Sequence, residues 1–285
     1  MENKSSSLAA RSMQVCRYLF QNRFLTVNTG VIYALLLVFI SFHLRPVADF
    51  CVAQKIAVTP WIFPFMTSDY MLQILLVAGA LLLLADAPFQ DNNHLYLMYR
   101  TGSVGWQLGA VLYMALVAVV YVISIWGIAL LSLADVVQFS TEWGKILGTL
   151  MQTSIGVEYG IPLVFSYTVA QYAPAEATGY SMLLEALCIW WLGMVIYMGN
   201  AYIRHRAGVL IGFIYLFLDV MAYNVMPRSV YRFSPLSLCQ LGYFDGDFAR
   251  EGVSLTYATG FFCVSIFLFL LAILFLGKRI KTEEK

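Results

Sequence analysis

Residues 101–134 run without a single charged side chain. A helix of about 20 apolar residues already crosses a hydrocarbon core ~30 Å thick. Residues 24–44 form a second such run, free of Asp, Glu, Lys and Arg, and further long apolar stretches follow. Only 12% of the 285 residues are charged and 61% are hydrophobic, whereas soluble domains carry roughly 25% charged residues. The chain therefore reads as an all-α integral membrane protein. No polar stretch is long enough to bury a core of its own, which excludes a separate soluble domain.

Taken in order, the pattern predicts six spans. Residues 7–23 are too polar to cross. At 100° per residue Leu8, Val15 and Leu19 group with Phe20, Met13 and Cys16, while Arg11, Gln14, Arg17 and Gln21 fall opposite. That suits a helix lying in the interface, with Arg11 and Arg17 toward lipid headgroups. The first span covers about 24–44 and is closed by Arg45-Pro46; the second covers about 62–85, with Asp69 in its first turns. The third lies within 106–133, longer than needed and so tilted. The fourth covers about 179–199 and contains Glu185, the fifth 207–225 with Asp219, and the sixth 255–277. Residues 86–105 connect spans two and three. Asn92 or Asn93 is an N-cap candidate there, and Gly102 sits where a positive φ ends a helix cheaply.

Six spans put both termini on one side. That side carries Lys4, Arg11, Arg17, Arg23, Arg100, Arg204, Arg206 and four basic residues after the last span, against Arg45, Lys55, Lys145, Arg228, Arg232 and Arg250 on the other. The positive-inside rule makes the termini cytoplasmic, with the protein in the plasma membrane. Segments 135–178 and 226–254 are then exterior. The first should hold short helices, since a structureless loop of that length is unusual. Thr141 would cap one running to Gln152, with Trp143, Ile146, Leu147 and Leu150 on one face, and Ile161–Tyr172 would form another, interfacial or partly re-entrant.

Candidate chemistry is sparse. Ionisable groups inside a span are costly and normally have a partner or a path. Asp219, near mid-depth, is either a pathway or proton-carrying acid or a structural one bonded to a neighbouring tyrosine or tryptophan. Glu185 and Asp69, nearer the outer interface, are read as snorkelling or pairing residues. His43, His94 and His205 are isolated, no HExxH or GxSxG occurs, and the five cysteines show no CxxC spacing. A Cys51–Cys239 bridge is left open, with free thiols favoured. Asp245-Gly246-Asp247 lacks the further oxygen ligands of a calcium loop. No metal site, no enzyme and no nucleic-acid partner are expected. A P-loop, GxxxxGK[ST], is also missing, so the energy for active transport must come from another subunit or an ion gradient.

The layout resembles the permease subunits of type-2 ATP-binding-cassette (ABC-2) transporters, in particular small Firmicutes-type exporters. The resemblance rests on the amphipathic N-terminal helix, Asp86-Ala87-Pro88-Phe89, Arg100-Thr101-Gly102 with Trp106, Glu142-Trp143-Gly144-Lys145 with Leu147-Gly148-Thr149, and Ser234-Pro235-Leu236-Ser237, in that order along the chain. It implies that 86–105 is a coupling helix received by a cytosolic ABC ATPase, with Asp91, Asn93, His94, Tyr96, Tyr99 and Arg100 at the contact. It further implies that short helices before the sixth span close the pathway, and that a second permease copy or paralogue completes a dimer. This chain would bind no cofactor; ATP and Mg would be held by the partner ATPase. The insertion between spans three and four is longer than in minimal exporters. Competing readings are an ion-coupled secondary transporter or channel using Asp219, and a non-transporting peptide-sensing or immunity protein.

Overall fold

The computed structural model describes residues 7–90, 93–204, 206–225, 228–244 and 253–283. Asp91 and His205, together with Asp245-Gly246-Asp247, lie outside the described residues. About 78% of the chain is helical, with no strands among the described residues. Four helices are long and apolar enough to cross a membrane, and two shorter apolar ones pack among them.

Helix α1 (Leu8–Leu19) opens the bundle, with the Ser7 hydroxyl accepting from the Ala10 N–H at 3.3 Å as an N-cap does. It continues into a π-helical turn, Phe20–Phe24. Its buried residues are Ser12, Val15, Cys16 and Leu19, spaced three and four apart, which is the seam of a helix packed against protein. The seam closes on Gly109 of the third long span, where a β-carbon would lie 2.5 Å from Val15 Cβ and 2.8 Å from the Ser12 carbonyl. Two side-chain placements differ from the sequence reading. Met13 is exposed, and Arg11 turns inward so that Nη1 donates to the Thr101 carbonyl at 3.3 Å. Arg17, Gln14 and Gln21 are exposed as expected.

Helix α2 (Val27–Gln54) starts at Thr26, whose hydroxyl accepts from the Thr29 N–H, and does not end at Arg45-Pro46. Pro46 sacrifices one intrahelical bond, yet Val47, Phe50 and Cys51 beyond it are buried and carry the helix on. It stops only at Lys55, in the left-handed region (φ 56°), where the Ile56 N–H reaches back to the Cys51 carbonyl at 3.1 Å.

The second apolar stretch is broken. Helix α3 (Phe63–Ser68) and helix α4 (Tyr70–Leu84) meet at Asp69, whose extended backbone (φ −76°, ψ 122°) interrupts the helix and whose carboxylate accepts from the Leu72 N–H at 2.7 Å. Asp69 is therefore a buried N-cap, not a snorkelling acid. Before helix α5 (His94–Thr101), Phe89 takes φ 63° and meets the Tyr113 ring edge-on at 4.8 Å. Gly102 (φ 80°) is the elbow between α5 and helix α6 (Ser103–Ser132), as the sequence anticipated.

Residues 133–173 cover the end of the bundle opposite α5, here the far end. Val58 and Val137 form an isolated parallel bridge, with Val58 N–H to Val136 O at 2.9 Å and Gln138 N–H to Val58 O at 2.8 Å. Helix α7 (Gly144–Gln152) buries Ile146, Leu147, Leu150 and Met151. Thr141 does not cap it; the turn is set by Gly144 at φ 72°, packed on Thr59, and by the Thr59 hydroxyl donating to the Trp143 carbonyl at 2.8 Å. The helix expected over Ile161–Tyr172 is reduced to α9 (Tyr167–Ala170), after the single-turn α8 (Ile155–Glu158).

Helix α10 (Pro174–Tyr202) is the central post. Its apolar window is 67% buried, against 22% for α2 and for Leu255–Phe275. Helix α11 (Ala207–Asn224) returns beside it so closely that a β-carbon on Gly208 would stand 2.1 Å from the Ile196 carbonyl. A 3₁₀ turn (Arg228–Phe233), helix α12 (Pro235–Leu238) and a second 3₁₀ turn (Leu241–Tyr243) then lead to helix α13 (Leu255–Glu283).

Candidate functional site

Two polar features stand out within this frame. The first is inside the bundle. Residues 234–242 are all buried, so what sequence reading placed in an exterior segment is folded among the helices. This strip is pinned by side chains from three helices. From α11, Asp219 accepts from the Ser234 hydroxyl at 2.6 Å and from the Ser237 hydroxyl. From α4, Gln73 Nε2 donates to Cys239 Sγ at 3.1 Å and, from the same nitrogen, to Glu185 Oε2 on α10 at 2.8 Å. From α10, Cys188 Sγ donates to the Pro235 carbonyl at 3.6 Å. Behind it, the Ser166 hydroxyl donates to the Gly242 carbonyl at 2.6 Å, and Gly242 rests on Ser68.

The local sequence makes this possible. Ser234 caps α12 while Pro235 supplies the preset φ of a first helical turn, so Ser234 and Ser237 stand on one side of a single turn and converge on one carboxylate. Asp219 thus has two hydroxyl partners, not the aromatic partner anticipated. Glu185 is only 2% exposed, on a buried face of the most buried of the four long helices, and does not reach an interface. Cys51 and Cys239 are both buried free thiols, and Cys239 Sγ donates to the Leu236 carbonyl at 3.0 Å. Among the described residues no three His, Cys, Asp or Glu side chains are grouped to hold a metal ion.

The second feature is α5 at the opposite end. It is braced rather than free-standing. Arg11 holds the Thr101 carbonyl, the Asn93 amide donates to the Tyr18 hydroxyl at 3.4 Å, and the His94 ring meets Trp106 edge-on at 4.6 Å. Asn93 precedes the helix without capping it through its side chain. The opposite side of α5 is open: Leu95 is 70%, Tyr96 66% and Tyr99 92% exposed, with Arg100 exposed beside them. Arg23, at the foot of the π turn, lies 3.7 Å from Asp86.

Sequence reading missed Asn200. Its amide nitrogen donates to the Ala85 carbonyl at 3.0 Å and the Ala87 carbonyl at 2.7 Å, and its oxygen accepts from the Gly208 N–H at 2.9 Å. One side chain so ties the end of α4 to the α10–α11 corner. Its signal in the sequence is slight, a polar residue flanked by Gly199 and by Gly208 one corner later. No family model, curated protein or solved structure matches the chain.

Proposed function

We propose that this protein is the transmembrane permease subunit of an ABC-2-type transporter, an exporter whose partner ATPase hydrolyses ATP while this chain supplies the route across the plasma membrane. In this reading α3–α4 and α11 complete six spans with the four long helices, and both termini are cytoplasmic. Helix α4 alone rises about 22 Å over its 15 residues, short of the ~30 Å core; α3 extends it across the Asp69 break.

The observation that carries the reading is the open face of α5. A short helix held to the bundle by Arg11, Tyr18 and Trp106 on one side presents two tyrosines and a leucine on the other. Exposed aromatic anchors beside an arginine are the composition of a protein contact. The helix runs into α6 at the Gly102 elbow, and the end of α4 that precedes it in the chain is tied by Asn200 to the α10–α11 corner. A push on α5 by a closing ATPase dimer is thereby passed to α4, α6 and the α10–α11 corner. At the far end the buried strip 234–242 spans α4, α10 and α11, so a relative movement of these helices opens or reseals it. Such a push changes populations only where the contact differs between states.

Charge reversal at Arg100, or a proline within Asn93–Arg100, is expected to abolish ATPase association or coupling while the protein still inserts. Transport unchanged in both variants refutes the coupling role.

A further inference from the structure

The strip 234–242 leaves one group of polar atoms unanswered. Glu185 Oε1 and Gln73 Oε1 are buried without a hydrogen-bond partner, as are Ser181 Oγ, Thr178 Oγ1 and Gln240 Nε2. Buried polar atoms are nearly always partnered, and each exception asks for an explanation. Thr178, Ser181 and Glu185 are spaced i, i+3, i+7 and so share one face of α10. They descend from the far end to a depth of about 16 Å below Pro174, at 1.5 Å per residue. Four of the five atoms are oxygens, and the deepest belongs to a carboxylate.

The electrostatic surroundings sharpen the question. The titratable groups facing Glu185 are Cys239 on the strip, Cys188 on its own helix and Tyr121 on α6, whose hydroxyl is already committed to the Leu76 carbonyl at 2.6 Å, with Asp219 on α11 facing the two thiols. Gln73 on α4 is neutral, and no basic side chain contributes to the surroundings of Glu185 among the described residues. An uncompensated anion in such a place is expensive. Oxygen atoms with a negative charge and no cation are what a small hard cation takes as ligands. A glutamine partner suits a proton equally, since turning its amide exchanges a donor for an acceptor.

We infer that Glu185 and Gln73 bind a small monovalent cation, a proton or a sodium ion, reached from the far end past Ser181 and Thr178, and that its occupancy keeps strip 234–242 seated. The link is Gln73 Nε2, which touches Glu185 and Cys239 together. With the cation bound the carboxylate is neutralised and the strip stays closed. Without it the bare anion draws water in and the strip loosens. The inference does not rest on ATPase docking at α5.

The test uses the full chain in phosphatidylcholine bilayers, with Cys16, Cys51, Cys188 and Cys263 replaced by serine so that Cys239 alone reports. Maleimide labelling of Cys239 is followed at one fixed pH in sodium chloride and in choline chloride, and infrared difference spectra are recorded across pH. If sodium is the occupant, sodium at ten times its Kd slows labelling about tenfold, by mass action, and Glu185→Gln loses the effect. If a proton is the occupant, sodium has no effect and the spectra show a protonated carboxyl band that Glu185→Gln removes and Asp219→Asn retains. Thermal unfolding establishes that each variant is folded. Labelling indifferent to sodium together with no titrating carboxyl band in the unsubstituted protein overturns the inference, whatever the variants do. So does either signal surviving in folded Glu185→Gln.

Discussion

Removing the Asn200 amide unties the end of α4 from the α10–α11 corner. Asn200→Ala deletes the bonds to the Ala85 and Ala87 carbonyls and to the Gly208 N–H. Each hydrogen bond is worth about 1 kcal/mol net. Asn200 is half-buried, so water replaces part of the loss, and the expected destabilisation is about 2 kcal/mol. Asn200→Asp is the more severe change, because a carboxylate oxygen then faces two carbonyl oxygens with no proton to share. For a chain of this size about 2 kcal/mol lowers the unfolding midpoint by roughly 3 to 4 °C. The assay is thermal unfolding of the purified protein in mild detergent, paired with hydrogen–deuterium exchange over residues 85–90. Asn200→Ala should lower the midpoint and raise exchange in that loop, and Asn200→Asp should do both more strongly. Two variants indistinguishable from the parent in midpoint and exchange would refute the role given to this side chain.

Further expectations follow from single contacts. Gly208→Ala drives a β-carbon into the Ile196 backbone; overpacking of this kind costs about 1–3 kcal/mol or more, read as a lower unfolding midpoint or failure to insert stably. Tyr121→Phe strips a buried donor from the Leu76 carbonyl and should cost about 1–2 kcal/mol in the same assay. Burial pushes the Cys16 thiol up from its ordinary value, so with the other four cysteines replaced by serine it should react with a permeant maleimide far more slowly in the folded protein than after denaturation. Equal rates would show that α1 does not stay packed on α6.

What the sequence made legible follows from the kind of force involved. Long apolar runs announced α2, α6, α10 and the last helix, because in lipid a backbone must satisfy itself and only helices do so. Gly102 announced the elbow, because few other residues accept its φ. The ends of helices were less visible. Arg45-Pro46 has every local sign of a stop, yet burial of Val47, Phe50 and Cys51 against residues far along the chain outweighs one missing bond. Asp69 carried the opposite lesson, a local cap that breaks an apolar run which hydropathy joins.

The acids were the hardest to place. Hydropathy and depth locate Glu185 and Asp219 along a helix axis but not around it, and their partners, Gln73, Ser234 and Ser237, come from elements 15 to 112 residues away. Arg11 was assigned to headgroups by its angle on α1 alone; the Thr101 carbonyl that holds it is 90 residues distant. For α5, the helix and its stop could be read from His94 to Gly102. The side left open could not, because it depends on where α1 and α6 lie.

The central claim is that α5 receives an ATPase, and the most direct measurement is affinity purification of the full chain from its native membrane in mild detergent, with partners identified by sequence. The account predicts a protein carrying GxxxxGK[ST] in stoichiometric amount with the parent chain. It predicts loss of that protein in Tyr99→Glu and its retention in Met71→Ala, an exposed position in the first turn of α4, at the end remote from α5. A folded, membrane-inserted chain that brings down no such ATPase, or brings it down equally with Tyr99→Glu, would contradict it.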